Sequence, residues 1–214
     1  MTNAENKIIE STKKFVEKWM TKDASGHDFY HVMRVYDNAV YLAEGENVDE
    51  FIVKMAALLH DVDDPKLKKP HVKVKKVAEY LTLIKLDELQ MNQIMDIIDN
   101  MSYSAYLRGQ KVTTLEGKIV QDADRLDAIG AIGIARAFAY GGSRKRPMYQ
   151  GDTGDESSIA HFYQKLLKLP KLMNTPKAKL LSRSRLKTMK QYLAAFHSEW
   201  QGPTPINETN GEVQ

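Results

Sequence analysis

The chain has 214 residues, an apolar fraction of 43% and no cysteine, enough for one sizeable core and incompatible with disulfides or thiolate metal sites. Its formal net charge is only +3, with basic residues dispersed among acidic ones through much of the sequence, so neither a nucleic-acid polymer nor a membrane is the expected partner. The N-terminus MTNAENKIIE lacks a basic segment followed by an apolar one, and no run approaches the roughly 20 apolar residues of a membrane span, which makes the expected location cytoplasmic.

Apolar residues recur at three- and four-residue intervals nearly throughout, and alternating β-branched runs are absent, so the expected fold is all-α. The first helix is expected over about residues 3–22, burying Ile8, Phe15, Val16 and Trp19, and the second from near Gly26-His27 to Gly45, with Val32, Val35, Ala39 and Leu42 inward. A third, EFIVKMAALLHDV, closes at Asp64-Pro65 because the residue before proline is pushed out of the α region. The fourth carries Val74, Val77 and Leu81, and the fifth runs from about Asp87 to Tyr103.

Thr113 and Glu116 have capping-box spacing and open one long helix expected to run through Asp124 to about Tyr140. YGGSRKRPMYQGDTGD has no helical period and reads as a long exposed loop. Thr153 and Glu156 repeat the capping spacing before a helix through Leu167. Thr175-Pro176 then starts a final helix with Leu180, Leu186, Met189, Leu193, Phe196 and Trp200 on its apolar face, and residues 203–214 are expected to be a disordered tail.

Four ionisable groups lie on these apolar helices, where burial without a partner is costly: His31, the adjacent His60-Asp61, and Asp124. Neighbouring side chains on a helix diverge by about 100°, so His60 and Asp61 share a cation only beside a helix end, which the Asp64-Pro65 break supplies. Two imidazoles and two carboxylates suit a divalent cation, with Mn²⁺, Mg²⁺, Fe²⁺, Co²⁺, Ni²⁺ and Zn²⁺ all compatible and none selected by ligand type alone.

In the contexts GHDFYHVMRV, AALLHDVDD and DADRLDAIGAIGIARAF, this ordered set resembles the HD-domain superfamily of metal-dependent phosphohydrolases over about residues 20–195. The likeness is narrower to its bacterial single-domain branch, which includes manganese-dependent nucleotide pyrophosphohydrolases. It implies a single-domain helical bundle over 1–202, with a metal-site core at about 20–140 and C-terminal helices at about 154–200, and one divalent ion on His31, His60, Asp61 and Asp124. It also implies two catalytic residues: Asp64, matching an acidic position that orients or deprotonates the attacking water, and Arg34, matching the basic residue after the first ligand histidine and expected to neutralise phosphate oxygens of the substrate.

His27, Lys66, Arg144 and Arg146 are the expected substrate contacts, and Arg125 and Asp127 the expected partners of the ligands. Tyr103 and Tyr149 are read as packing before base stacking, and His71, His161 and His197 as surface or structural. The expected reaction is cleavage of a nucleotide phosphoester or phosphoanhydride, favouring nucleoside triphosphate to monophosphate and pyrophosphate. The competing readings are a nucleotide-binding sensor or scaffold without useful turnover, and an alarmone 3′-pyrophosphohydrolase, disfavoured because Asp64-Pro65 stands where such relatives carry Glu-Asp. Apolar surplus on the first and last helices permits a homodimer.

Overall fold

A computed structural model describes the chain except residues 21–25, 27, 64–75, 152–153 and 204–214. The described residues contain no strand. They form α1 (Asn3–Met20), α2 (Phe29–Ala43), α3 (Glu50–Leu59), α4 (Lys76–Leu83), α5 (Glu88–Asn100), α6 (Tyr103–Leu107), α7 (Leu115–Asp127), α8 (Gly130–Ser143), α9 (Ser158–Gln164), a 3₁₀ helix (Leu166–Leu172) and α10 (Pro176–Trp200). None of these helices is long and apolar enough to cross a membrane.

The centre of the molecule is α3. Every residue from Phe51 to Leu59 except Lys54 is buried, the pattern of a helix enclosed on all sides, and α1, α2, α5 and α7 surround it. α2 also packs along α7, so α2, α3 and α7 touch pairwise, while α10 lies on α8, α7 and the 3₁₀ helix. A continuous apolar core runs from Ile9 in α1 to Leu193 in α10. At about 1.5–3 kcal/mol for each large apolar side chain buried, this core is the main force holding the three central helices in register.

Side-chain caps set most of the helix starts. Asp28, Asp49, Asp87, Ser102, Thr114, Ser157 and Thr175 each accept a backbone N–H from the first turn, satisfying donors that have no partner within the helix. The cap of α7 is Thr114, one residue beyond the expected Thr113. Glu116 does not close a capping box, since its carboxylate accepts the N–H of Asp49 at the start of α3. Ser157 caps α9, and the expected cap Thr153 lies outside the described residues.

The expected long helix from Thr113 to Tyr140 is two helices. Ala128 caps α7, Ile129 is extended, and Gly130 takes φ +76° to begin α8. The left-handed conformation suits glycine, and a Cβ on Gly130 would lie 3.0 Å from the Arg185 side chain. Apolar spacing continues across IGAIGIA, so periodicity alone conceals the break.

α5 likewise stops at Asn100, before the expected Tyr103, because Ser102 caps the separate short α6. The expected helix through Leu167 ends at Gln164 and continues as the 3₁₀ turn around Pro170. Three expected core residues are exposed: Trp19, Leu180 and Trp200, at 49%, 66% and 51%. The inner face of α1 is Ile9, Thr12, Val16 and Met20, of which Val16 was expected.

Candidate metal centre

Packing of α2, α3 and α7 brings His31, His60, Asp61 and Asp124 together. His31 stands in the first turn of α2, whose cap Asp28 accepts the His31 N–H at 2.8 Å. His60 is the C-cap of α3 and Asp61 is in the following turn, so both leave the helix end on the same side. Asp124 is in the last turn of α7.

His31 Nε2 is 3.3 Å from His60 Nε2, 3.3 Å from Asp61 Oδ2 and 3.7 Å from Asp124 Oδ1. His60 Nε2 is 3.5 Å from Asp61 Oδ1 and 4.0 Å from Asp124 Oδ1. Ligand atoms of His31, His60 and Asp124 all lie within 4.8 Å of one another.

The far sides of both imidazoles are fixed. His60 Nδ1 is 2.8 Å from the Ala57 carbonyl and His31 Nδ1 is 2.7 Å from Asp127 Oδ2. A carbonyl and a carboxylate only accept, so both Nδ1 atoms donate, and in neutral rings both Nε2 atoms turn lone pairs toward the cluster. Two lone pairs at 3.3 Å beside two carboxylates require a positive charge among them.

In the metal-free chain a proton on His31 meets that need. Burial opposes charging the ring, yet the hydrogen bonds to Asp127 and Asp61 outweigh it and hold its pKa up to about 9. A divalent cation suits the same donor set, and the Nδ1 partners give the orienting second layer that such histidines carry.

Asp127 is the hub of that layer. Its Oδ1 accepts Arg34 Nε at 2.7 Å, and its Oδ2 accepts Arg34 Nη2 at 3.1 Å and Arg136 Nη1 at 2.9 Å, besides His31. Burial resists its ionisation, but His31 and the two guanidiniums hold the carboxyl well below the usual carboxylate range. Arg34, expected to face substrate, thus gives two nitrogens to Asp127 and keeps Nη1 for another partner, its side chain being 36% exposed.

Arg136 was not legible in the sequence. It lies nine residues beyond Asp127 in a different helix, inside the stretch DADRLDAIGAIGIARAF, where nothing in its spacing points to Asp127. A second missed residue is Asp63, whose carboxylate accepts the N–H groups of Lys76 and Val77 and ties the start of α4 to the chain just after Asp61.

The other residues singled out in the sequence are placed as follows. Arg125 donates to the Leu172 carbonyl and lies over the Tyr106 ring, pinning the 3₁₀ helix, while its charge is felt by Asp122 and Asp124. The roughly 100° turn between adjacent helical residues sends Asp124 and Arg125 to different faces of α7.

Arg144 and Arg146 both lie over the Tyr140 ring at the far end of α8. At about 1.5 Å per residue, Arg144 is about 12 Å beyond Arg136 along the helix axis. Asp64, His27, Lys66 and His71 lie outside the described residues. Tyr149 packs against Phe196, His197 and Trp200, and Tyr103 lies under Lys165. His197 accepts or donates a hydrogen bond with the Tyr163 hydroxyl.

The family model for the HD domain matches residues 28–129, the span holding all four converging residues. The protein YpgQ of Bacillus subtilis is 40% identical over 202 residues, covering 92% of this chain and 96% of YpgQ. Its crystal structure in complex with ADP superposes with a TM-score of 0.79 over 93% of this chain and 98% of that one, at 39% identity. An HD-superfamily hydrolase from Bacillus thuringiensis is 45% identical, with a TM-score of 0.73 over 93% of this chain and all (100%) of that one. With that likeness joined to two imidazoles and two carboxylates converging from α2, α3 and α7, the chain belongs to the HD-domain superfamily and is a metal-dependent hydrolase.

Proposed function

We propose that this enzyme is a phosphohydrolase acting on a nucleotide, releasing pyrophosphate from a nucleoside triphosphate, with Mn²⁺ or Mg²⁺ held by His31, His60, Asp61 and Asp124. The observation that carries the reading is the pair of imidazole Nε2 atoms facing each other at 3.3 Å with both Nδ1 atoms tied down. The co-crystallisation of ADP with YpgQ supports a nucleotide as the ligand class.

When bound, a divalent ion supplies an acidified water and a Lewis acid for a phosphoryl oxygen. The chain's own residues do the rest. His31 is oriented by Asp127 and His60 by the Ala57 carbonyl, so neither ring reorganises on ligand binding. Arg34, braced by Asp127, offers Nη1 to a non-bridging phosphate oxygen. Asp64, three residues after Asp61, accepts the proton of the attacking water. Water oxygen bonds to the α-phosphorus, the bond to the bridging oxygen breaks, and pyrophosphate leaves.

A nucleotide panel assayed with Mn²⁺ tests this reading. Wild type releases pyrophosphate from at least one triphosphate, and Asp61→Ala and Asp124→Ala lose at least 100-fold in kcat/KM, on the order expected when a ligand is removed. Equal turnover by wild type and both variants would contradict it.

A further inference from the structure

The basic triplet follows the last turn of α8, with Arg144 about 12 Å beyond Arg136 along the helix axis, and its surroundings suggest a use of its own. Tyr140, Arg144, Lys145, Arg146, Pro147 and Gln150 line a cavity of about 700 Å³, open to solvent, together with Asp155 and Glu156. No residue of the metal centre is among them.

Three features set this cavity apart from an ordinary solvated basic surface. First, among the described residues none of Arg144, Lys145 and Arg146 forms an ion pair, although two acidic residues share the wall. The Asp155 carboxylate accepts the N–H groups of Gln150 and Ser157, closing its own loop. Second, both guanidiniums are gathered over one ring, 5.4 Å and 5.8 Å from the Tyr140 centroid, so two like charges are held side by side.

Third, Lys145 has φ +58°. It occupies the left-handed position of a helix-ending motif in which Lys145 N–H reaches the Gly142 carbonyl and Arg146 N–H the Gly141 carbonyl at 2.8 Å. Glycine is the residue that takes this position without strain. The lysine side chain is thus retained at a conformational cost, and the bend turns three successive cations around one hollow.

We propose that this cavity is a second anion-binding site, distinct from the metal centre, for a small polyphosphate: inorganic pyrophosphate or the phosphate chain of a nucleotide. Two guanidiniums offer planar forks and Lys145 a point charge, the combination that grips neighbouring phosphoryl groups. The proposal does not rest on the metal centre's assigned reaction.

The test is a calorimetric titration of full-length Asp124→Ala protein, which lacks a complete metal centre, with inorganic phosphate, inorganic pyrophosphate and ADP in separate arms. One pyrophosphate binds per chain, more tightly than orthophosphate, and the affinity falls at least tenfold when Arg144→Met and Arg146→Met are added. All three basic residues are exposed, so these variants fold. ADP binding with the affinity of pyrophosphate identifies the phosphate chain as what is recognised; much tighter ADP binding that survives both arginine changes would overturn the proposal.

Lys145→Gly separates a ligand role from a cap role: it raises the melting temperature and weakens pyrophosphate binding at least threefold. No pyrophosphate binding to Asp124→Ala, orthophosphate binding as tight as pyrophosphate, or Lys145→Gly stabilising with unchanged affinity would each overturn the proposal.

Discussion

Asp127 never faces the cation position, yet it governs the residue that does. Its carboxylate takes four hydrogen bonds from His31, Arg34 and Arg136, so removing it leaves two guanidiniums without their partner in a largely buried setting. Asp127→Ala is therefore expected to cost about 3 kcal/mol of stability and to weaken Mn²⁺ binding about 10- to 100-fold, read by thermal melting and calorimetry. Unchanged metal affinity in a folded Asp127→Ala protein would show that His31 needs no orienting partner.

His31 gives a pH dependence whose direction is fixed. Burial resists its charge, the Asp127 and Asp61 hydrogen bonds prevail, and in the metal-free chain the pKa stands near 9 against an ordinary 6.5. A raised folded pKa contributes stability that is complete below about pH 6.5 and is lost as pH rises through about 9. A cation competes with that proton, so apparent Mn²⁺ affinity rises between pH 6.5 and 7.5, by up to about tenfold. Proton release on titration in two buffers of different ionisation enthalpy checks it; a pH-independent affinity with no proton released would contradict the assignment.

Among the elements, the α7–α8 break and the start of α10 hold the ligand helix in place. Gly130 joins α7 to α8 at φ +76° against Arg185, and Gly130→Ala should cost about 1–2 kcal/mol, seen as a lower melting temperature. Two residues before Asp124, the buried Asp122 accepts the N–H groups of Asn174 and Thr175, the Asn174 amide and the Thr175 hydroxyl. Asp122→Ala leaves these donors buried and unmatched, at an expected cost of about 3 kcal/mol, with α10 losing amide-exchange protection at its first turn.

Helix existence was legible because amphipathic spacing records burial, and the four converging residues because ionisable groups on apolar helices stand out. What the sequence hid was contact between distant elements. The Asp127–Arg136 and Asp122–Thr175 pairs lie on different helices and follow no spacing, while the glycine break sits inside an unbroken apolar run. The positions of Arg125 and Arg144 were hidden for a related reason: adjacency in sequence does not say that Arg125 reaches the Leu172 carbonyl or that Arg144 lies over the Tyr140 ring.

At the scale of the molecule, α2, α3 and α7 pack pairwise, and each contributes a ligand at the place where they meet. Core and site are therefore one construction, and metal binding to the folded state alone stabilises the whole chain. Chelator treatment should lower the melting temperature of wild type by several degrees, about 2.7 kcal/mol of stabilisation being lost from a hundredfold saturated site. The Asp124→Ala protein should show no such shift. The central claim is that four residues from three helices make one cation site, and calorimetric titration of Mn²⁺ into chelator-stripped protein tests it most directly. One ion per chain is predicted for wild type, with at least tenfold weaker binding for His31→Ala, His60→Ala, Asp61→Ala and Asp124→Ala each; folded variants that bind Mn²⁺ as wild type does would contradict it.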